Sequence, residues 1–105
     1  MSTELSFAKL NSVNVIRCQD VFPECREWSE SDWAIALVGE VGEACNLVKK
    51  RNRGQKIDPE IVADEIADAV IYADLLCEKL GVSLEAAIIR KFNEVSKRRN
   101  YQIKL

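Results

Sequence analysis

Residues 34–50 read A-I-A-L-V-G-E-V-G-E-A-C-N-L-V-K-K. Glu40 and Glu43 are the only acids in this run, three positions apart. A second run, residues 65–72, reads E-I-A-D-A-V-I-Y and repeats the spacing with Glu65 and Asp68. At 3.6 residues per turn, an i, i+3 pair lies about 60° apart on one helix face and roughly 4.5 Å along the axis. The neighbours are mostly apolar or small, so the acids border buried helix surface. Four carboxylates converging between two packed helices would repel one another and lose hydration, a cost that a cation relieves. Hard oxygen ligands suit Mg²⁺, with Mn²⁺ as a substitute. A magnesium cage in turn suits phosphates.

Helix signals extend in both directions from these two runs. Ser31 or Asp32 is placed to cap a helix over 32–51, whose last turn is basic (Lys49, Lys50, Arg51) as the helix dipole favours. Gly39 and Gly42 inside it cost roughly 1 kcal/mol each against alanine. Close approach of a neighbouring helix or ligand would supply the reason for them. Asp58-Pro59-Glu60 opens a helix over 59–80 and Gly81 closes it. Its inward face is expected to be Ile66, Val70, Ala73 and Cys77, flanked by Val62, Ala69 and Leu76. Glu65, Asp68 and Tyr72 line an adjoining stripe, with the tyrosine one turn above the acids.

Ser83 caps a further helix over 83–98, with Leu84, Ala87, Ile88, Phe92 and Val95 inward. Upstream, Leu5, Ala8, Val15, Cys18 and Phe22 mark a stripe over 5–22, broadened by Phe7, Leu10 and Val13. Phe22-Pro23 ends it, because a residue before proline avoids helical geometry. A polar connector with Trp28 and Trp33 follows. No segment has strand periodicity and none repeats. The expectation is one all-α domain over 1–105, a bundle of four helices.

Composition narrows the chemistry. With 105 residues, 48% hydrophobic and 30% charged, the chain fits one globular domain. A net charge of −2 gives no field that would attract nucleic acid or an anionic membrane, although Lys49, Lys50, Arg51, Arg53 and Lys56 cluster within eight residues. No apolar run approaches the roughly 20 residues of a membrane span, and M-S-T-E-L-S does not open a signal peptide. Cys18, Cys25, Cys45 and Cys77 form no C-x-x-C pair. They are read as reduced thiols of a cytoplasmic protein, Cys45 and Cys77 being small core residues. The chain has no histidine, which excludes Ser-His-Asp and Cys-His nucleophiles, H-E-x-x-H zinc sites and the E-x-x-H motif of di-iron bundles.

Carboxylate, lysine, tyrosine and metal remain. A metal beside phosphate lowers the pKa of bound water, and an adjacent carboxylate can take its proton. Lys50, Arg53, Lys91, Lys97 and Arg98 are the supply of cations for polyphosphate, and Asn93 offers hydrogen bonds near the same end of the last helix. Trp28 and Trp33 read either as lids over the core or as stacking partners for a planar base.

E-V-G-E followed by E-I-A-D resembles the E-x-x-E…E-x-x-D motif of the MazG-like nucleoside triphosphate pyrophosphohydrolases, which belong with the all-α dUTPases and dCTP pyrophosphatases. The likeness runs through A-L-V-G-E-V-G-E-A, E-I-A-D-A-V-I-Y and the downstream K-F-N-E-V-S-K-R, over residues 32–99. It implies an all-α fold, obligate Mg²⁺, and conversion of a (d)NTP to monophosphate and pyrophosphate in nucleotide-pool house-cleaning. It also implies homodimers or homotetramers that complete the pocket between subunits. By the resemblance, Glu40, Glu43, Glu65 and Asp68 are the catalytic metal ligands, with one glutamate orienting or deprotonating water. Tyr72 would lie at the nucleotide, and Lys91 and Asn93 at its phosphates. One departure is upstream: W-S-E-S-D-W stands where the dCTP-pyrophosphatase branch carries W-x-x-F-H. The alternative is a nucleotide-sensing module on the same fold that does not turn its ligand over.

Overall fold

The computed structural model describes residues 4–105. Four α-helices form, without a strand among these residues: α1 (Phe7–Val21), α2 (Glu30–Asn52), α3 (Pro59–Leu80) and α4 (Leu84–Arg98). A single 3₁₀ turn, Pro23–Glu27, follows α1. The all-α expectation holds, and the boundaries agree within about two residues, the usual fraying of helix ends.

Each helix starts where a side chain satisfies its free N–H groups. Ser6, Ser29, Asp58 and Ser83 accept from the backbone amides of Lys9, Asp32, Glu60 and Ala86. At α2 the cap is Ser29 rather than Ser31 or Asp32. Ser29 and Asp32 form a reciprocal box, the Asp32 carboxylate accepting from the Ser29 amide at 2.9 Å. The box starts the helix at Glu30, just upstream of the expected 32. Phe22 closes α1 as its proline neighbour dictates. Gly81, at φ 74°, takes the left-handed conformation that ends α3, letting the Val82 amide donate back to the Cys77 carbonyl at 3.0 Å. Asn100, at φ 53°, ends α4 in the same way through Tyr101 and Ser96.

The centre of the fold is the antiparallel α2–α3 hairpin, joined by a short loop, and the backbone of α2 approaches no other helix. Trp33 (5% exposed), Ala44 and Val62 are the buried apolar residues between them. Burying an indole of about 200 Å² at ~25 cal/mol per Å² contributes about 5 kcal/mol, so Trp33 is the main anchor. On the other side of α3 lies α1, held by a polar clasp. The Asn14 amide donates to the Ile71 carbonyl and to the Asp74 carboxylate, both at 3.0 Å. Asn11 donates to Asp74 at 3.2 Å and to Glu78 at 3.2 Å. Asn14 and Asp74 are each only 3% exposed, and full pairing is what makes such burial tolerable. Helix α4 meets α1 and α3 but not α2, so the bundle is open along one side of the hairpin.

This rotation of α3 corrects several expectations. Ile66 and Val70 are exposed, while Val62 is buried and Ala69 and Leu76 are half-buried. The helix turns about its axis so that Glu65 joins the α2 side, which swings Ile66 and Val70 outward. Cys45, expected in the core, is exposed on α2. Phe92 and Val95 on α4 are exposed too, while Leu84, Ala87 and Ile88 are half-buried and Ser96 is the buried residue of the helix. In α1 the buried position is Asn14, with Phe7 and Val13 exposed, as is Leu5 just ahead of the helix.

Candidate functional site

Halfway along the hairpin, the inward face of α2 carries Glu40 and that of α3 carries Glu65, with Glu43 at the rim. One carboxylate oxygen from each of the three lies within 4.8 Å of the others. Glu40 and Glu65 are half-buried, whereas Glu43 is exposed. The Oε2 atoms of Glu40 and Glu65 are buried and accept no hydrogen bond. Among the described residues, no lysine or arginine pairs with any of the three. Two orphaned acceptors beside a third acid are costly, since each has given up water without a replacement.

Glu65 bears the consequence. Its carboxyl is pushed up to about 7, first by sharing a hydrogen bond with Glu43, then by lost hydration and by the charges of Glu43 and Glu40. Without a cation, the cluster therefore relieves its repulsion by holding a proton. Acceptor-only oxygens, several acids and a missing counter-charge fit a hard divalent cation. Glu40, Glu43 and Glu65 would hold it.

Asp68 does not join this group of three. One turn beyond Glu65, it stands on the wall of a cleft of about 170 Å³, with Asn14, Arg17, Trp33 and Tyr72. Tyr72 is the link between cleft and cluster. Burial first, then the charges of Glu40, Cys25, Asp68 and Cys18, raise its phenol above the ordinary value. It is a neutral hydrogen-bond donor throughout the physiological range.

The two tryptophans pack on one another, ring centres 4.6 Å apart and edge-on at 61°. Trp33 also meets Tyr72, at 6.0 Å. Trp33 is thus first a core residue that contributes one wall of the cleft, and Trp28 is a half-buried cover over it. Lys50 is half-buried in the last turn of α2, seven residues beyond Glu43 and so on nearly the same face, about 10 Å along the axis.

The structure does not bring Lys91 and Asn93 to the acids. Lys91 pairs with Glu94 at 3.4 Å. Asn93 holds the C-terminal tail, accepting from the Leu105 amide at 2.8 Å and donating to its carbonyl at 3.2 Å. Arg17 and Asn14, by contrast, line the cleft without having been marked by the sequence. An asparagine in the apolar stripe of α1 was the only signal for Asn14. Arg17 gave none, since it meets the cleft only after α1 docks on α3.

Comparison with protein-family models, curated proteins and solved structures returns no match. The family resemblance therefore rests on the sequence motifs between residues 32 and 99 alone.

Proposed function

We propose that the chain is a Mg²⁺-dependent nucleoside triphosphate pyrophosphohydrolase, converting a (d)NTP and water to (d)NMP and pyrophosphate. The observation that carries this reading is the cluster of Glu40, Glu43 and Glu65, with two buried oxygens lacking any partner. Mg²⁺ bound there would screen the triphosphate's charge and acidify a water molecule.

The remaining roles fall to the chain's own side chains. Glu43, exposed at the rim, would be the glutamate that accepts the proton of the attacking water. Glu40 and Glu65 lie half-buried between two helices and would fix the cation's position. Asp68 and Tyr72 line the cleft one turn beyond Glu65, where Tyr72 would donate to the nucleotide and Trp33 would bound the base. Lys50 lies on the Glu43 face of α2, in reach of a phosphate chain that extends along that helix.

The test is product analysis with each common NTP and dNTP in Mg²⁺ buffer. Monophosphate with pyrophosphate, abolished by EDTA, is the expected result. Diphosphate with orthophosphate would reject the cleavage position. Nucleotide binding without turnover would replace the enzyme with a sensing module.

A further inference from the structure

We propose that Cys18 and Cys25 form an oxidation site, where a peroxide joins them in a disulfide that ties the Pro23–Glu27 turn to the end of α1. The proposal stands on the fold of residues 18–26 and is independent of the nucleotide reading.

Seven positions separate the two cysteines, a span of about 24 Å in an extended chain. Here the chain folds back between them. The Phe22 amide donates to the Cys18 carbonyl at 3.0 Å, and the Cys25 amide donates to the Phe22 carbonyl at 3.0 Å. One helical turn thus leads directly into one 3₁₀ turn. The Arg26 guanidinium then reaches across to donate to the Gln19 carbonyl at 2.8 Å, which fastens the turn on α1.

The two thiols share their surroundings as a result. Both are half-buried, and both line the same two clefts. One, of about 470 Å³, is bounded by Val15, Arg26 and Trp33. The other is the cleft of about 170 Å³ beside Asp68 and Tyr72. Burial first, then the charges of Cys18 and Glu24, hold the Cys25 thiol above its ordinary value. One cysteine acts on the other in this way only at short range, because charges near water are screened over about 10 Å. Cys77, by contrast, responds to burial and to Asp74, and Cys45 is exposed on α2.

Two observations select oxidation over other thiol chemistry. A thiol held in its protonated form is neither a ready nucleophile nor a preformed metal ligand, since both roles need the thiolate. Among the described residues, no third cysteine or acid closes on the pair as a metal site requires. What the pair offers is proximity: when one sulfur is oxidised, the second is already beside it.

The chemistry balances with a peroxide as oxidant. One thiolate attacks the O–O bond and becomes a sulfenic acid, and the hydroxide released takes up the thiol's proton as water. The other sulfur attacks the sulfenic sulfur, the S–O bond breaks, and a second water leaves. Two thiols and one H₂O₂ give one disulfide and two waters, the sulfurs losing the two electrons that the peroxide gains. Both sulfurs stand on the cleft that Trp33, Asp68 and Tyr72 also line, so the bond fixes one wall of it.

Treatment of the folded, reduced full chain with millimolar hydrogen peroxide, followed by alkylation and tryptic digestion, tests this. Cleavage after Arg17 and Arg26 places both cysteines in one peptide, residues 18–26, apart from Cys45 and Cys77. The expected result is a peptide that has lost two hydrogens and escaped alkylation, restored by dithiothreitol and absent from Cys18→Ser and Cys25→Ser. In a glutathione redox buffer, the folded chain should favour this bond at least tenfold more than the chain in urea, which separates the fold from nearness in sequence. A folded chain that ends in sulfinic acids, or in bonds to Cys45 or Cys77, would overturn the proposal, as would equal pairing in urea.

Discussion

At Glu65, a carboxyl with an ordinary pKa near 4.5 keeps its proton up to about 7 in the folded, metal-free chain. Between those values the native state binds more protons than the unfolded one, so stability falls as pH rises through the window and levels off above it. Thermal melts of EDTA-treated protein should show this decline from about pH 5 to 7. Mg²⁺ should suppress it, and Glu65→Gln should flatten it. A melting curve equally steep in that variant would place the titration elsewhere. Glu43→Gln should lower kcat by at least ~100-fold with helicity retained, as loss of a general base does. Asp74→Ala leaves the buried Asn14 amide short of an acceptor and should cost about 2–3 kcal/mol in urea denaturation. At this scale the sequence was legible for the Glu40–Glu43 pair, which helical spacing sets on one face of α2, whereas Glu65 meets it only because α3 packs back on α2. It was not legible for Asp68, whose placement depends on how far α3 rotates, nor for the Asn14–Asp74 clasp between residues 60 positions apart.

At the level of elements, boundaries followed from local chemistry. The Asp58-Pro59 start and Gly81 stop of α3 fell where expected because each acts within one turn. Ser29 was missed because Ser31 and Asp32 offer the same chemistry two and three residues later. Only the reciprocal bond to the Asp32 side chain distinguishes them. Gly81→Ala should destabilise by about 1 kcal/mol, since a Cβ at φ 74° is strained although the space around it is open. Ser29→Ala should cost about 1 kcal/mol through the lost cap. Urea midpoints at constant slope check both. The inward face of α3 was harder to read, because it has apolar residues on two sides. Periodicity marks both stripes, and only docking on α2 decides which is covered.

For the whole molecule, a central hairpin carries the acids, and α1 and α4 meet it through α3. The class and the four helices were written in period and caps, whereas the openness of the bundle was not, since it depends on which helices fail to meet. Lys91 and Asn93 illustrate this. They sit on a helix that never approaches α2, so no spacing rule could connect them to the acids. The central claim is that Glu40, Glu43 and Glu65 form a divalent-cation site, and a Mn²⁺ titration followed by electron paramagnetic resonance tests it most directly. The account predicts that the unaltered chain depletes the free Mn²⁺ signal in competition with Mg²⁺, and that Glu40→Gln with Glu65→Gln leaves the signal intact while remaining helical. A folded chain that leaves millimolar Mn²⁺ entirely free, or a double variant that binds it equally well, would contradict it.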